Sequence, residues 1–495
     1  GNRWESTIAH ELFHHWFGDY VTAESWSNIT VNESFADYSE FLWAEHAHGA
    51  DEAAFHQYQA AQGYLSNPTE SAKDLVRFHY EDKEEVFDLV SYQKGGRILH
   101  MLRQYLGDPA FFAGLNRYLT ENRLGTGSAH KLRMAFEAVS GKDLNWFFNQ
   151  WYFGNGHPKL NISYGYDADK KMATVFVKQN QGDKIFTLPA EIDVYTGNAK
   201  KRYTVWLRNK ADSFYFPAAT APDLVNFDPE RTLLAEKSSN KTKEQYFFQF
   251  NQAKHYLDRR EAIDYAGKSL GEPASLALVM KALEDPFFRI RLRALITLQN
   301  AKLDPSQLAK IKAMAQQDPA ALVRGQAVTL LGKTKDASLA PVFVAATKDS
   351  SYSVAGAGLE AWLAIDPKGA FARYQAIKDQ PAKGPLSLAI TKVLIAEGNE
   401  NDFEAVLKNF ADMPLSLDKI NAMENLGKFL AKVKDETKFK KGVDQMVATL
   451  EEIPAGFRGQ FSGPFNNNVL KPLAAAKEAQ GQQNLADYAK SKMMK

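Results

Sequence analysis

Two histidines four residues apart constrain the start of this chain more than any other feature. The segment reads His10-Glu11-Leu12-Phe13-His14. In an α-helix, residues four positions apart lie on one face, so both imidazoles can bind one zinc ion about 2.0–2.1 Å away. The pattern therefore predicts a helix that carries a metal site. Taken alone, a pattern with three fixed letters also occurs by chance on surface helices.

Glu33, nineteen positions after His14, is the natural third ligand. Two histidines and one glutamate leave a coordination position open for water or a substrate carbonyl, which is typical of a catalytic zinc site. Glu11 stands beside the histidines, too close to be a comfortable third ligand. We expect it to act as the base that accepts a proton from the water that zinc activates.

Apolar residues near the histidines indicate a core helix. Ile8, Phe13 and Phe17 follow spacings that bury one helical face. We interpret His15 and Trp16 as packing residues rather than as part of the chemistry.

The segment from His10 to Asp19, with Glu33 at its spacing, resembles the gluzincin aminopeptidases of the M1 family, relatives of aminopeptidase N and leukotriene A4 hydrolase. A later stretch, Ser91-Tyr92-Gln93-Lys94-Gly95-Gly96, is similar to the Tyr-x-Lys-Gly segment of those enzymes. The resemblance implies one zinc ion, and it implies that Tyr92 donates its hydroxyl to the oxyanion of the attacked carbonyl. A donor aimed where charge develops stabilises the transition state more than the ground state.

Two carboxylates are candidates for supporting the ligands, because zinc-binding histidines usually give their other N–H to an acid or a carbonyl. If Glu33 lies on a helix, Asp37 and Glu40 follow it along the same face. Glu40 also matches an acidic position after the family's Asn-Glu-Gly motif, so the resemblance implies that it orients a ligand. For Asp37, a solvated or capping charge is the favoured interpretation.

A local histidine group does not indicate a second metal. The group consists of His46, His48 and His56, and their spacing fits no single helical face.

Two features depart from the family pattern. Ser34 replaces the usual glycine after the ligand glutamate, which should leave coordination intact. The Gly-x-Met-Glu-Asn motif, whose glutamate holds the substrate's α-amine in the family, is not found before His10; a partial match at Asn421-Ala422-Met423-Glu424-Asn425 is interpreted as chance. We therefore expect a missing N-terminal segment of the same protein as a partner, and weak or absent aminopeptidase activity for this chain alone.

Composition limits the other possibilities. A chain of 495 residues is too long for one hydrophobic core, so several domains are expected. Sixty basic and fifty-nine acidic residues give a net charge of +1, which argues against nucleic acid or an anionic membrane as a partner. The absence of cysteine excludes disulfides, thiolate ligands and a cysteine nucleophile, and leaves the compartment open between the cytoplasm and an exported location.

The periodicity divides the chain into three predicted domains. Residues 1–157 read as helical, with amphipathic runs from Gly96 to Leu106 and from His130 to Val139, and the resemblance implies the helical half of a thermolysin-like domain. Residues 158–237 alternate in short segments separated by turns, which predicts a small antiparallel β-sandwich that acts as a spacer.

Residues 238–495 are predicted to form a HEAT-like α-solenoid. Asp285, Asp318 and Asp349 recur at intervals of 33 and 31 residues, and the residues that follow them align. Arg291 and Arg324 share one repeat position and are expected to bond neighbouring loops. A nucleic-acid patch around Arg291 is the weaker reading.

These features favour a zinc metallopeptidase that removes N-terminal residues from peptides. The alternative is a non-catalytic binding or scaffold fragment that uses the HEAT-like domain.

Overall fold

The computed structural model describes residues 4–453 and 455–494, apart from the side chains of residues 455–457. Within it the chain forms two compact units, Gly1–Ser269 and Leu270–Lys495. Both predicted domain boundaries fall inside the first unit. The boundary at 157/158 lies between a helix and a strand, whereas the boundary at 237/238 falls inside a strand, Glu236–Ser239. The division into three domains stays a prediction.

The first part of unit one is helical, as the periodicity predicts. Its helices are α1 (Glu5–Phe13), α2 (Thr30–His48), α3 (Ala50–Leu65), α4 (Gly95–Leu106), α5 (Asp108–Glu121), α6 (Ala129–Ser140) and α7 (Asn145–Trp151). The two amphipathic runs correspond to α4 and α6. Helix α6 shows why its ends lie where they do: the Ser128 hydroxyl accepts the N–H of Lys131, and Gly141 follows the helix with φ 67°.

Two short strands, β1 (Val21–Ala23) and β2 (Gly125–Gly127), pair in parallel beside these helices. The sequence did not predict them, because three residues are too few to show an alternating pattern.

The middle of the chain forms two small sheets, which confirms the predicted sandwich. The strands are β3 (Lys159–Asp167), β4 (Met172–Gln179), β5 (Leu188–Thr196), β6 (Ala199–Leu207), β7 (Ala211–Pro217), β8 (Leu224–Phe227) and β9 (Glu236–Ser239). Their orders are β7-β4-β3-β9 and β6-β5-β8, and every pairing is antiparallel except that of β3 with β9. Buried residues of both sheets share one core with the helices α2 to α7. Helices α8 (Lys243–Gln252) and α9 (Tyr256–Ala266) complete the unit.

Unit two is an array of helices. They are α10 (Pro273–Ala282), α11 (Phe288–Thr297), α12 (Pro305–Gln317), α13 (Ala321–Gly332), α14 (Ala340–Ala346), α15 (Tyr352–Leu363), α16 (Pro367–Ile377), α17 (Pro385–Glu397), α18 (Phe403–Ala411), α19 (Leu417–Leu430), α20 (Glu436–Glu451), α21 (Ala455–Phe465), α22 (Lys471–Ala479) and α23 (Gln483–Ser491). The aligned repeat positions are buried on α11, α13 and α15, as the HEAT-like interpretation requires.

The repeat arginines bond successive loops in this unit. Arg291 donates to both carboxylate oxygens of Asp318 at 2.8 Å, and Arg324 repeats the arrangement with Asp349 at 3.0 and 3.1 Å. Each arginine also donates to the carbonyl of the aspartate six residues before it. The expected structural role is therefore observed.

Helix α1 differs from the core helix predicted for it. Ile8 is 57% exposed and Trp16 is 51% exposed, and the His15 side chain also faces solvent. The burial of Ile8 and the packing roles of His15 and Trp16 were wrong, whereas Phe17 is buried. An apolar spacing identifies one side of a helix but does not supply the element that covers it, and no described residue buries that side.

None of the helices in the described residues is both long enough and apolar enough to cross a membrane.

Candidate metal centre

Helices α1 and α2 supply the three predicted ligands. His10 lies on α1, and His14 directly follows the end of that helix with φ −60° and ψ −21°. Because His14 keeps helical backbone angles, the four-residue spacing still turns both imidazoles to one side. Glu33 lies in the first turn of α2 and is buried. The structure thus brings together the residues that the sequence singled out.

The ligand atoms of these three side chains converge on one point. Nε2 of His10 lies 3.6 Å from Oε2 of Glu33, and Nε2 of His14 lies 3.5 Å from the same oxygen. One ligand atom from each residue lies within 4.8 Å of the other two. A tetrahedral cation with ligand distances near 2.0–2.1 Å fits such a triangle.

Each histidine is also held through its second nitrogen. His10 Nδ1 lies 3.1 Å from Glu40 Oε1, and His14 Nδ1 lies 3.1 Å from the carbonyl oxygen of Phe17. When Nδ1–H donates to such an acceptor, the lone pair of Nε2 points toward the metal position. Glu40 therefore lies within hydrogen-bonding distance of His10, and its role in orienting a ligand stays a prediction.

Sequence reasoning missed two members of this arrangement. The carbonyl of Phe17 carries no side-chain signal, so no pattern could identify it. The sequence argues against His56 as part of a second metal site and assigns it no other role, yet its Nε2 lies 3.2 Å from Oε2 of Glu40. Glu40 thus bridges two histidines.

The electrostatics of the centre favour a positive charge. Burial alone would raise the pKa of Glu33, but the hydrogen bonds of His10 and His14 outweigh it and lower that pKa to about 2. Burial likewise opposes protonation of His10, while Glu33 and Glu40 raise its pKa to about 9. A site that attracts protons so strongly without a metal is one where a cation gains comparable stabilisation.

Tyr92 lies beside the ligands, on a π-helical turn, Val90–Lys94, that leads into α4. Its ring is nearly parallel to that of His10, with centroids 5.9 Å apart. Burial and the carboxylates of Glu33 and Glu11 raise the pKa of Tyr92, so the phenol keeps its proton and can donate it. Glu11 lies on α1, and its side chain is exposed to solvent.

The sequence favoured a solvated or capping charge for Asp37, and the structure shows that Asp37 is not solvated. It is 7% exposed, and burial raises its pKa to about 7. Gly96 packs so closely that a Cβ there would lie 2.3 Å from Oδ2 of Asp37. Its carboxyl group therefore lies in the packed contact between α2 and α4.

Comparison with known proteins agrees with this geometry. Residues 2–151, which contain the three converging ligands and Tyr92, match the peptidase family M1 domain. This part of the chain is therefore similar to an M1 peptidase domain. Residues 249–329 match HEAT repeats, which agrees with the helical array that follows the M1 domain and the sandwich.

Relatives of the M1 domain are named as aminopeptidases in several organisms. Aminopeptidase M1-C of Oryza sativa is 27% identical over 218 residues, 42% of this chain and 24% of that protein. Aminopeptidase N of Lactococcus lactis is 32% identical over 164 residues, 31% of this chain and 19% of that protein. The chain spans about a quarter of the length of the relatives it matches.

The fold also has a solved counterpart. The crystal structure of Legionella pneumophila aminopeptidase A in complex with aspartic acid superposes with a TM-score of 0.61 and 14% identity. The match covers 98% of this chain and 65% of that one. The two chains therefore share a fold.

Proposed function

We propose that this chain is the zinc-binding part of an M1-type aminopeptidase, and that His10, His14 and Glu33 hold one zinc ion. The convergence of their ligand atoms, with both Nδ1 atoms held by acceptors, is the observation that carries this proposal. The family match supports zinc, the metal that the resemblance implies. A bound zinc ion would act as a Lewis acid that polarises a peptide carbonyl. It would also lower the pKa of a water molecule bound to it.

In the proposed reaction, Glu11 transfers a proton and Tyr92 donates a hydrogen bond. Glu11 accepts the proton of the attacking water and later delivers it to the leaving amine. Tyr92 donates its hydroxyl to the oxygen of the attacked carbonyl, where negative charge develops. The raised pKa of Tyr92 supports this role, because an ionised phenol could not donate. Peptides are the proposed substrates.

The first test measures metal content. The purified chain should hold about one zinc ion per molecule, and the His14→Ala variant should lose it. Elemental analysis after mild purification checks this result. Clearly substoichiometric zinc in the unaltered chain would contradict the proposed ligand set.

The second test measures turnover of an amino-acyl anilide by the full-length protein. The Glu11→Gln variant should lower kcat about 100- to 10,000-fold, because the general base is lost. Glu121→Gln, which alters a half-exposed carboxylate on α5, is the matched control and should keep activity. An active Glu11→Gln variant would contradict the assignment of the base.

For the chain taken alone, we propose weak or absent aminopeptidase activity. Its sequence does not contain the motif that holds the substrate's amine in the family. The exposed apolar side of α1, formed by Trp4, Ile8, Leu12 and Trp16, supports a further segment of the protein as its covering partner. Robust turnover by the isolated chain, abolished in Glu11→Gln, would contradict this proposal.

The scaffold alternative has one observation in its favour. A cavity of about 470 Å³ in unit two is lined by apolar side chains such as Leu322, Leu388 and Phe410. Stable capture of a peptide by this unit, combined with inactivity of the full-length protein, would favour binding over catalysis.

A further inference from the structure

A chain of hydroxyl groups links α2 to the turn that carries Tyr92. Thr30 and Ser34 lie one helical turn apart on α2, with their hydroxyl oxygens 2.6 Å apart. Ser34 donates to the carbonyl oxygen of Ser91, also at 2.6 Å. Since the Ser34 proton is used in this bond, the Thr30 hydroxyl must donate to Ser34. All three residues are at most 1% exposed.

Ser91 directly precedes Tyr92 and is held at each of its polar atoms. Its N–H donates to Asp88 Oδ1 at 3.1 Å, and its hydroxyl donates to the carbonyl of Val86 while accepting from Arg77 at 2.9 Å. Asp88 and Arg77 are themselves ion-paired. These contacts hold Ser91 to nearby residues of the same stretch of chain, and the hydrogen bond from Ser34 joins that stretch to α2.

The packing around Ser34 leaves little room for another arrangement. A Cβ on Gly95 would lie 1.8 Å from the Ser34 hydroxyl oxygen and 2.5 Å from its Cβ. The start of α4 therefore approaches α2 closely because residue 95 is glycine. A side chain at position 34 faces the turn of Tyr92 directly, whereas the glycine usual in the family offers no group for such a bond.

We propose that Ser34 is a positioning residue that sets the place of the Tyr92 hydroxyl relative to the metal ligands. Ser34 follows Glu33 in the chain, so one hydrogen bond connects the helical turn that holds a ligand to the turn that holds the oxyanion donor. This inference rests on the proposed function, and it assigns Ser34 a role in geometry, without contact to the substrate. Stabilisation of an oxyanion requires a hydrogen-bond donor about 2.7–3.1 Å from the position where the charge develops.

The test measures the position of Tyr92 without relying on turnover. The chain is labelled with 3-fluorotyrosine, and the Tyr92 signal in the ¹⁹F NMR spectrum is assigned by its loss in Tyr92→Phe. Ser34→Ala should shift or broaden this signal, and Thr30→Val should change it less, because Ser34 then keeps its own bond to Ser91. Ser128→Ala removes a buried hydroxyl that caps α6 and should leave the Tyr92 signal unchanged.

A kinetic experiment with the full-length protein completes the test. Ser34→Ala should lower kcat about tenfold with KM and zinc content unchanged, as expected when only transition-state contacts weaken. In the Tyr92→Phe background the same change should have no further effect, because Ser34 acts through the Tyr92 hydroxyl. The proposal would be overturned if the decrease of kcat in the double variant equalled the product of the two single decreases. An unchanged ¹⁹F signal in Ser34→Ala would also overturn it.

The outcomes separate this inference from the proposed function. If Tyr92→Phe retains full activity, the oxyanion role of Tyr92 fails even where the ¹⁹F signal responds to Ser34→Ala. If Tyr92→Phe is inactive and the Tyr92 ¹⁹F signal is unchanged in Ser34→Ala, the proposed function stands and the role of Ser34 is refuted.

Discussion

At the scale of single residues, both histidines of the candidate metal centre are held by a second contact. Glu40 and the Phe17 carbonyl orient the two histidines, and the histidines in turn lower the pKa of Glu33. Such contacts prepare the site before a metal arrives, so less ordering accompanies binding.

Glu40→Gln should weaken zinc binding about 10- to 100-fold, since the amide is a poorer acceptor for the Nδ1–H of His10. Competition against a chelator of known affinity measures the change. Glu45→Gln, on the same helix but bonded to Arg103, is the matched control and should bind zinc as the unaltered chain does. Equal affinities for the two variants would contradict the role given to Glu40.

Lys94, two residues after Tyr92, is fully buried, and burial lowers its pKa from 10.5 to about 7. Between these values the unfolded chain binds a proton that the folded chain lacks. The free energy of unfolding should therefore rise with pH across this window. Its Nζ donates to the carbonyl of Lys73 at 3.4 Å, a contact too weak to offset burial of the charge.

Lys94→Met should consequently be more stable than the unaltered chain below pH 7, and the advantage should shrink toward about pH 10. Tryptophan fluorescence in urea measures it, because seven of the eight tryptophans precede residue 270. Lys178→Met, which replaces an exposed lysine of the same unit, should change the stability equally below pH 7 and at about pH 10. A constant advantage for Lys94→Met would contradict a titrating buried lysine.

At the scale of elements, two pairs in unit two join successive loops, Arg291 with Asp318 and Arg324 with Asp349, and we call them the repeat ladder. The Arg291–Asp318 pair is partly buried on both sides and bidentate, which distinguishes it from ordinary surface ion pairs. The ladder explains why the aspartates recur at nearly constant intervals in the sequence.

Arg291→Ala should lower the free energy of unfolding of unit two by about 2–3 kcal/mol, because Asp318 loses two charge-assisted hydrogen bonds. Urea unfolding followed by circular dichroism measures the loss. Lys441→Ala breaks an exposed pair with Glu404 and should cost less than about 1 kcal/mol. Similar losses of unfolding free energy in both variants would show that the Arg291–Asp318 pair stabilises unit two no more than an exposed ion pair does.

At the scale of the whole molecule, two large hydrophobic clusters share no residue. One extends from Phe17 to Ala235 and joins helices and sandwich, and the other extends from Ala355 to Ala489. A long chain distributes its apolar side chains over several cores in this way.

Phe136→Ala and Phe429→Ala remove matched, fully buried rings from the first and the second cluster. Each should destabilise its own unit by about 3–5 kcal/mol. The tryptophan fluorescence transition, which follows unit one, should shift in Phe136→Ala and stay in place in Phe429→Ala. A shift of that transition in both variants would indicate that the clusters unfold together.

Several features could be read from the sequence because they depend on short, regular spacings. The ligands of the candidate centre, the strands of the sandwich and the repeats of unit two all follow periods of two, four or about thirty residues. The exposure of α1 could not be read in this way, since the apolar spacing of Ile8 says nothing about a covering element. Strands as short as β1 and β2 carry too few residues for a pattern.

The sequence by itself determined which side chains are available: two histidines one helical turn apart, a glutamate on the next helix, and a tyrosine far along the chain. Only the tertiary structure decided how they are held. The bonds of His10 to Glu40, His14 to the Phe17 carbonyl and Ser34 to Ser91 join different elements or use backbone atoms. Such contacts arise from the way helices pack, and no local spacing encodes them.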